Sequence, residues 1–142
     1  MRILGVDYGE KRIGIAVSDP QKSVAHGIEV VERGGKPKSD FRKIAEIIKR
    51  YDGVEEIVVG LPKTLKGEIG TAAKEVLAFI DRLNEAVGVP VKTWDERFST
   101  VAAERPLKEG NIARSKRKKL IDSSAAAFML QGYLDHQRRA SL

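Results

Sequence analysis

The sequence predicts an α/β fold built on a mixed β-sheet, and two observations carry that prediction. The first nineteen residues hold two apolar runs, Ile3-Leu4-Gly5-Val6 and Ile13-Gly14-Ile15-Ala16-Val17, separated by Asp7-Tyr8-Gly9-Glu10-Lys11-Arg12. Short β-branched runs bounded by glycine and charge read as strands, and Asp-Tyr-Gly-Glu suits a hairpin connection with Gly9 in the turn. From Phe41 onward, segments with helical spacing alternate with continuous apolar runs, the pattern of strands joined by helical crossovers.

Taken in order, the first run is apolar on both faces, which predicts a central strand buried on both sides. Ala25 to Val31 alternates weakly and predicts a third strand, at an edge, so the first half of the sheet is an antiparallel meander. Arg33-Gly34-Gly35-Lys36-Pro37-Lys38 reads as a loop. Ser39 or Asp40 is a candidate helix cap, with Phe41, Ile44, Ala45, Ile47 and Ile48 on one face and Asp52-Gly53 as the stop. Ile57 to Leu61 is a second buried strand, parallel to the first through the crossover. Pro62 ends it, and Lys63 to Gly70 is a basic, glycine-rich loop. Thr71 is the expected cap of a second helix, which carries Val76, Phe79, Ile80 and Leu83 and closes at Gly88. Val89 to Trp94 is the fifth strand. Ser99 or Thr100 is expected to cap a short helix through Ala103. The cation-rich stretch Arg105 to Lys119, broken by Pro106 and Gly110, predicts a mobile loop. A last helix is expected from about Ser115 or Lys116, with Leu120, Ile121, Ala125, Phe128, Met129 and Leu130 on its apolar face.

The 142 residues suit one domain, 1–142, with a sizeable core. Lysine and arginine number 26 against 20 acids, a net charge of +6 and a pI near 9.6. That excess favours an anionic partner, nucleic acid first. No apolar run is long enough for a membrane span and no export signal is legible, so a cytoplasmic location is expected. The absence of cysteine excludes a disulfide framework, a thiolate metal site and a cysteine nucleophile.

Four carboxylates stand beside elements that should be buried: Asp7 and the pair Asp95-Glu96 at the ends of two strands, and Asp122 early in the last helix. Parallel strands would open both strand-end sites at one sheet edge, where α/β proteins place ligands. Each acid has a plainer reading. Asp7 can cap its own turn, and Asp122 can lie favourably near a helix N-terminus. Converging carboxylates repel one another, so a cluster needs cations. Hard oxygen donors without histidine or cysteine suit Mg²⁺ or Mn²⁺, and two such ions about 4 Å apart can activate water and stabilise the leaving oxygen in phosphodiester hydrolysis. Basic loops at Lys63 to Lys66 and Arg114 to Lys119 are candidate contacts to the phosphate backbone.

Gly5-Val6-Asp7-Tyr8-Gly9, Lys11-Arg12-Ile13-Gly14, Ser18-Asp19, Val59-Gly60-Leu61-Pro62, Asp95-Glu96-Arg97 with Ser99-Thr100, and Ile121-Asp122 with Ala125-Ala126 resemble the YqgF (RuvX) family, described as Holliday-junction-resolvase-like proteins and pre-16S rRNA nucleases. The resemblance spans nearly the whole chain, in order. It implies an RNase H-like fold, with a five-stranded mixed sheet (a three-strand antiparallel meander plus two parallel strands) and helices on both faces. It implies nuclease activity dependent on Mg²⁺ or Mn²⁺, with Asp7, an acid of the Asp95-Glu96 pair and Asp122 as ligands. Asp95 and Glu96 point to opposite faces if both stay in the strand, which favours Glu96 as the ligand and leaves Asp95 to orient Arg97 or Arg12. Lys11, Arg12, Lys63, Lys66, Arg97, Arg114, Lys116, Arg117 and Lys118 are the candidate nucleic-acid contacts. The expected partner is structured RNA or branched DNA, bound by a monomer or weak homodimer. In one departure, Lys63-Thr64-Leu65-Lys66-Gly67 stands where the family usually shows a sequence like Leu-Asn-Met-Asp-Gly, so an acid is exchanged for a cation.

Two other classes compete. Gly-x-Asp-x-Gly on a first hairpin also resembles the phosphate loop of actin-like and sugar-kinase ATPases, which need a second domain. A non-catalytic RNA-binding ribosome-assembly factor would use the basic loops without the acids.

Overall fold

In a computed structural model the described residues are 1–51, 53–61, 70–95 and 114–140, with side chains at 37, 114–124 and 140 left aside. The expected loop over 63–69, Glu96, Arg97, the expected short helix near 99–103 and residues 105–113 of the expected loop lie outside them. The elements run β1 (Arg2–Tyr8), β2 (Arg12–Ser18), β3 (Ala25–Glu32), α1 (Pro37–Arg50), β4 (Val54–Leu61), α2 (Thr71–Ala86), β5 (Val91–Asp95) and α3 (Arg114–Ala140).

The five strands form one mixed sheet in the order β3-β2-β1-β4-β5. The β1–β2 and β2–β3 pairs are antiparallel, and β1–β4 and β4–β5 are parallel. The expected edge strand β3 is at an edge and β1 is central. Alternation along each strand divides its side chains between two cores. Leu4 and Val6 of β1, with Ile13, Ile15, Ile57 and Val59, pack against Ile44 and Ile47 of α1 and Val76, Phe79 and Leu83 of α2. Ile3, Ala16 and Val58 face the other way, against Ala126, Met129, Leu130, Tyr133 and Leu134 of α3. Burial on both faces explains why β1 reads as a continuous apolar run.

Three helix starts differ from expectation. The first helix begins at Pro37, not after a Ser39 or Asp40 cap, with Lys36 at the N-cap and no side-chain capping bond. Proline's fixed φ is preset for the first helical turn and its missing N–H is no loss there. Gly70, not Thr71, is the N-cap of α2. Among the described residues the last helix runs from Arg114, so 114–119 are helical rather than loop. The breakers Pro106 and Gly110 precede this stretch, and lysine and arginine are good helix formers.

α3 is fixed to the sheet by close approach and by polar bridges. A Cβ on Gly5 would stand 2.9 Å from Leu130 Cβ, so glycine is what allows the helix to lie this near β1. Gln131 Nε2 donates to Ser23 O at 2.9 Å, and its Oε1 accepts from Ala25 N at 2.9 Å, tying the helix to the start of β3. Trp94 packs edge-on against Tyr133, which makes it part of the helix-sheet contact.

The Tyr133 hydroxyl donates to Glu56 Oε1 at 2.6 Å, while Lys92 Nζ lies 3.0 Å from Oε2 of the same carboxylate. Burial first, and then the adjacent Glu56 charge, push the Tyr133 phenol well above its ordinary value near 10. Above pH 10 the unfolded chain releases this proton and the folded chain keeps it, so stability present below pH 10 is lost as pH rises further. Tyr133 is expected to resist phenolate formation, read by absorbance near 295 nm, until alkali unfolds the protein. Tyr133→Phe should remove that late step and cost about 1.5–3 kcal/mol in denaturant unfolding.

Candidate functional site

Because β1, β4 and β5 are parallel, their C-terminal ends share one sheet edge. Val6 pairs with Val59, and Gly60 pairs with Trp94, so one step beyond Val6 places Asp7 level with Gly60 and Trp94. On the other side Asp7 pairs directly with Gly14 of β2. Asp7 alternates with Val6 and shares the parity of Ile3, which puts it on the α3 face. Gly14 and Gly60 are both buried. The half-buried Asp7 is therefore flanked on both neighbouring strands by residues without side chains.

α3 runs antiparallel to β1. Leu134 shares a core cluster with Ile3, and Leu130 lies over Gly5. One helical turn, about 5.4 Å, thus matches two strand residues, about 6.6 Å. The same step sets Ala126 level with Asp7 and position 122 one turn beyond. Positions 122, 126, 129, 130 and 133 fall on one helical stripe, the stripe that meets the sheet through Ala126, Met129, Leu130 and Tyr133.

Residues 1–136 match the family model described as RuvX, Holliday junction resolvase. The chain belongs to the RuvX family. A relative from Desulforamulus reducens, named "Putative pre-16S rRNA nuclease", is 51% identical over 95% of this chain and 97% of its own length. One of the same name from Halothermothrix orenii is 48% identical over 98% of both. Among solved structures, the Fowlpox virus resolvase in complex with its substrate Holliday junction DNA superposes with a TM-score of 0.59 at 17% identity, over 96% of this chain and 99% of that one. RuvC of T. thermophilus with a Holliday junction substrate gives 0.57 at 19% identity, over 97% and 96%. At such identities the likeness is one of fold, and the fold is RNase H-like, as the resemblance implied.

The other residues singled out in this RuvX-family chain are placed as follows. Trp94 is on the α3 face, so alternation sets Asp95, the last residue of β5, on the α1–α2 face, opposite Asp7. Glu96 is outside the described residues, and Asp122 is described as a backbone position in α3. Lys11 is exposed in the β1–β2 turn. Arg12 Nε lies 3.0 Å from Glu32 Oε1, three strands from β5 and about 14 Å away across the sheet, so Glu32 and not Asp95 is its partner. Lys63, Lys66 and Arg97 are outside the described residues. Arg114, Lys116, Arg117 and Lys118 lie in the first turns of α3.

Arg33 carries no signal in the sequence beyond its place in a glycine-rich loop, yet it stands against the turn that follows Asp7. Its Nη1 donates to Gly9 O at 3.0 Å and Glu10 O at 2.6 Å, and its backbone N–H donates to Lys11 O at 3.0 Å. Its guanidinium lies over the Tyr8 ring, 4.6 Å from the centroid.

The donor chemistry fits a hard divalent cation: carboxylates, with no thiol in the chain. Among the described residues, no group of three or more His, Cys, Asp or Glu stands close enough to hold a metal. Asp7 is the described carboxylate on the α3 face at this edge, with Gly14 and Gly60 leaving both its flanks without side chains.

Proposed function

We propose that residues 1–142 form one metal-dependent nuclease domain that hydrolyses phosphodiester bonds in structured RNA, processing the 5′ end of pre-16S rRNA. The observation that carries this reading is the position of Asp7. A carboxylate is half-buried between two glycines, at the shared edge of three parallel strands, with a helix passing antiparallel above it. This edge is where α/β sheets bind ligands, and the glycines on either side leave room for one.

Asp7, Glu96 and Asp122 would hold Mg²⁺ or Mn²⁺. In this reading Asp122 stands one helical turn past the level of Asp7 on the sheet-facing stripe. Glu96 follows Asp95 and returns to the α3 face if the strand alternation continues. The ion supplies charge neutralisation at the phosphoryl group and activation of water. The protein supplies position. The start of α3, Arg114 to Lys119, extends about 18 Å beyond the level of Asp7 at 1.5 Å per residue. It places a run of cations on a helix N-terminus that has no acid in its first turn. Cations oppose the helix dipole there, and a polyanion relieves the conflict. Lys11, Arg12, Lys63, Lys66 and Arg97 extend this basic surface in the proposal, and Asp95 supports the site from the other face.

Relatives at up to 51% identity carry a pre-16S rRNA nuclease name, which favours RNA. The family description and the two resolvase neighbours favour a second reading, cleavage of branched DNA. End-labelled 5′-extended 16S precursor RNA and a four-way DNA junction, each incubated with Mg²⁺ or Mn²⁺, separate the readings. RNA cleavage is expected, lost on chelation. Junction cleavage alone would establish the second reading. Salt-sensitive binding without cleavage of either would replace both with an RNA-binding assembly factor in the cytoplasm.

A further inference from the structure

We propose that Arg33, beside Asp40, is the positioning residue of the turn that follows Asp7 at the end of β1. The proposal rests on the reading of Asp7 as a metal ligand, but its geometry is independent of that reading. Gly9, Glu10 and Lys11 present three consecutive carbonyls, and all three accept from Arg33, two from the guanidinium and one from the backbone N–H. The Gly9 N–H donates to Arg12 O at 2.9 Å and closes the hairpin. A Cβ on Gly9 would stand 2.6 Å from that same Arg12 oxygen, so the turn has no slack for a side chain.

Among the described residues, the turn faces open space on its other side. Tyr8, Gly9, Glu10 and Arg33 border an open cleft of about 800 Å³ that reaches to Thr71 and Arg82 of α2. On the cleft side the guanidinium bonds are the described contacts to the Gly9 and Glu10 carbonyls. Arg33 is itself fixed from two directions. It lies over Tyr8, whose ring stacks on Phe79 at 4.3 Å. Its Nε lies 3.9 Å from Asp40 Oδ2. Asp40 is 5% exposed, and its Oδ1 has no hydrogen-bond partner among the described residues. A buried carboxylate with one oxygen unmatched is a poor source of stability. Asp40 lies in the first turn of α1, where the helix N-terminus favours a carboxylate, and from there it faces the Arg33 guanidinium. Partners that hydrogen-bond a metal ligand alter metal affinity by about 10–100-fold when removed, and Arg33 acts one step further out, through the backbone that follows Asp7.

The test uses Arg33→Ala, Arg33→Lys and Asp40→Asn in the full chain, with Asp7→Asn beside them. Without metal, amide hydrogen exchange at Gly9 should accelerate about tenfold or more in Arg33→Ala while Ile15 in the core is unchanged. Lysine, with one ammonium, should recover only part of the protection, and Asp40→Asn should show a smaller rise. With metal, the Mg²⁺ dissociation constant by calorimetry should rise about tenfold or more, with kcat at saturating Mg²⁺ largely kept. Unchanged Gly9 exchange would overturn the proposal. So would a loss of kcat at unchanged Mg²⁺ affinity, which would make Arg33 a substrate contact. Cleavage retained by Asp7→Asn would defeat the nuclease site and leave the Gly9 exchange result to decide the turn by itself.

Discussion

Asp7→Asn is expected to lower metal-dependent cleavage by about a thousandfold or more and to leave the fold in place. Asparagine matches aspartate in size, and the β1 backbone around residue 7 is held by its pairing with β2 and β4, which the substitution does not touch. The change removes one negative charge from an edge where acids are proposed to converge. Mutual repulsion falls there, so nucleic-acid binding should persist or tighten. Single-turnover cleavage, thermal unfolding and salt-dependent binding, measured on the same preparation, check the three parts. Cleavage surviving in a folded Asp7→Asn protein would return Asp7 to the role of a turn residue and remove the basis for a metal centre.

Gly5→Val should lower stability by about 3 kcal/mol, the upper end for overpacking, with metal affinity falling alongside. The added Cβ would lie 2.9 Å from Leu130 Cβ and 3.3 Å from Leu130 Cδ2, so α3 must lift from the sheet, and overpacking of this kind is costly. Lifting α3 also moves position 122 away from Asp7. Gly34→Ala is the control, because a Cβ at Gly34 meets nothing within 4 Å and should be neutral or slightly stabilising. Denaturant unfolding reads stability and calorimetry reads Mg²⁺ binding. Equal effects of the two substitutions would show that the approach of α3 to β1 is not tight.

The sheet was legible because burial writes itself into the chain. Ile3 to Val6 and Ile57 to Leu61 are apolar on both faces since both are covered, and Ala25 to Val31 is mixed because β3 lies at an edge. Helix starts were less legible. Ser39, Asp40 and Thr71 have the chemistry of caps, yet Pro37 and Gly70 open those helices without side-chain capping bonds, so local preference yielded to where the chain leaves the preceding element. At the candidate site, the acids at 7, 95, 96 and 122 could be named from their places beside buried elements. Arg33 could not, because three carbonyls of one turn meet it only after β2 and β3 fold back, and nothing in Arg33-Gly34-Gly35 encodes that distance.

By itself the sequence determined an α/β chain with a two-sided central strand, a basic surface and acids at strand ends, since periodicity and charge are properties of neighbours along the chain. The tertiary structure alone decided that Asp7 lies between Gly14 and Gly60, that Asp95 falls on the opposite face and that α3 passes Asp7 in antiparallel sense. Those relations depend on strand order and register, which are set by how two cores close on a single sheet and not by any segment read in isolation.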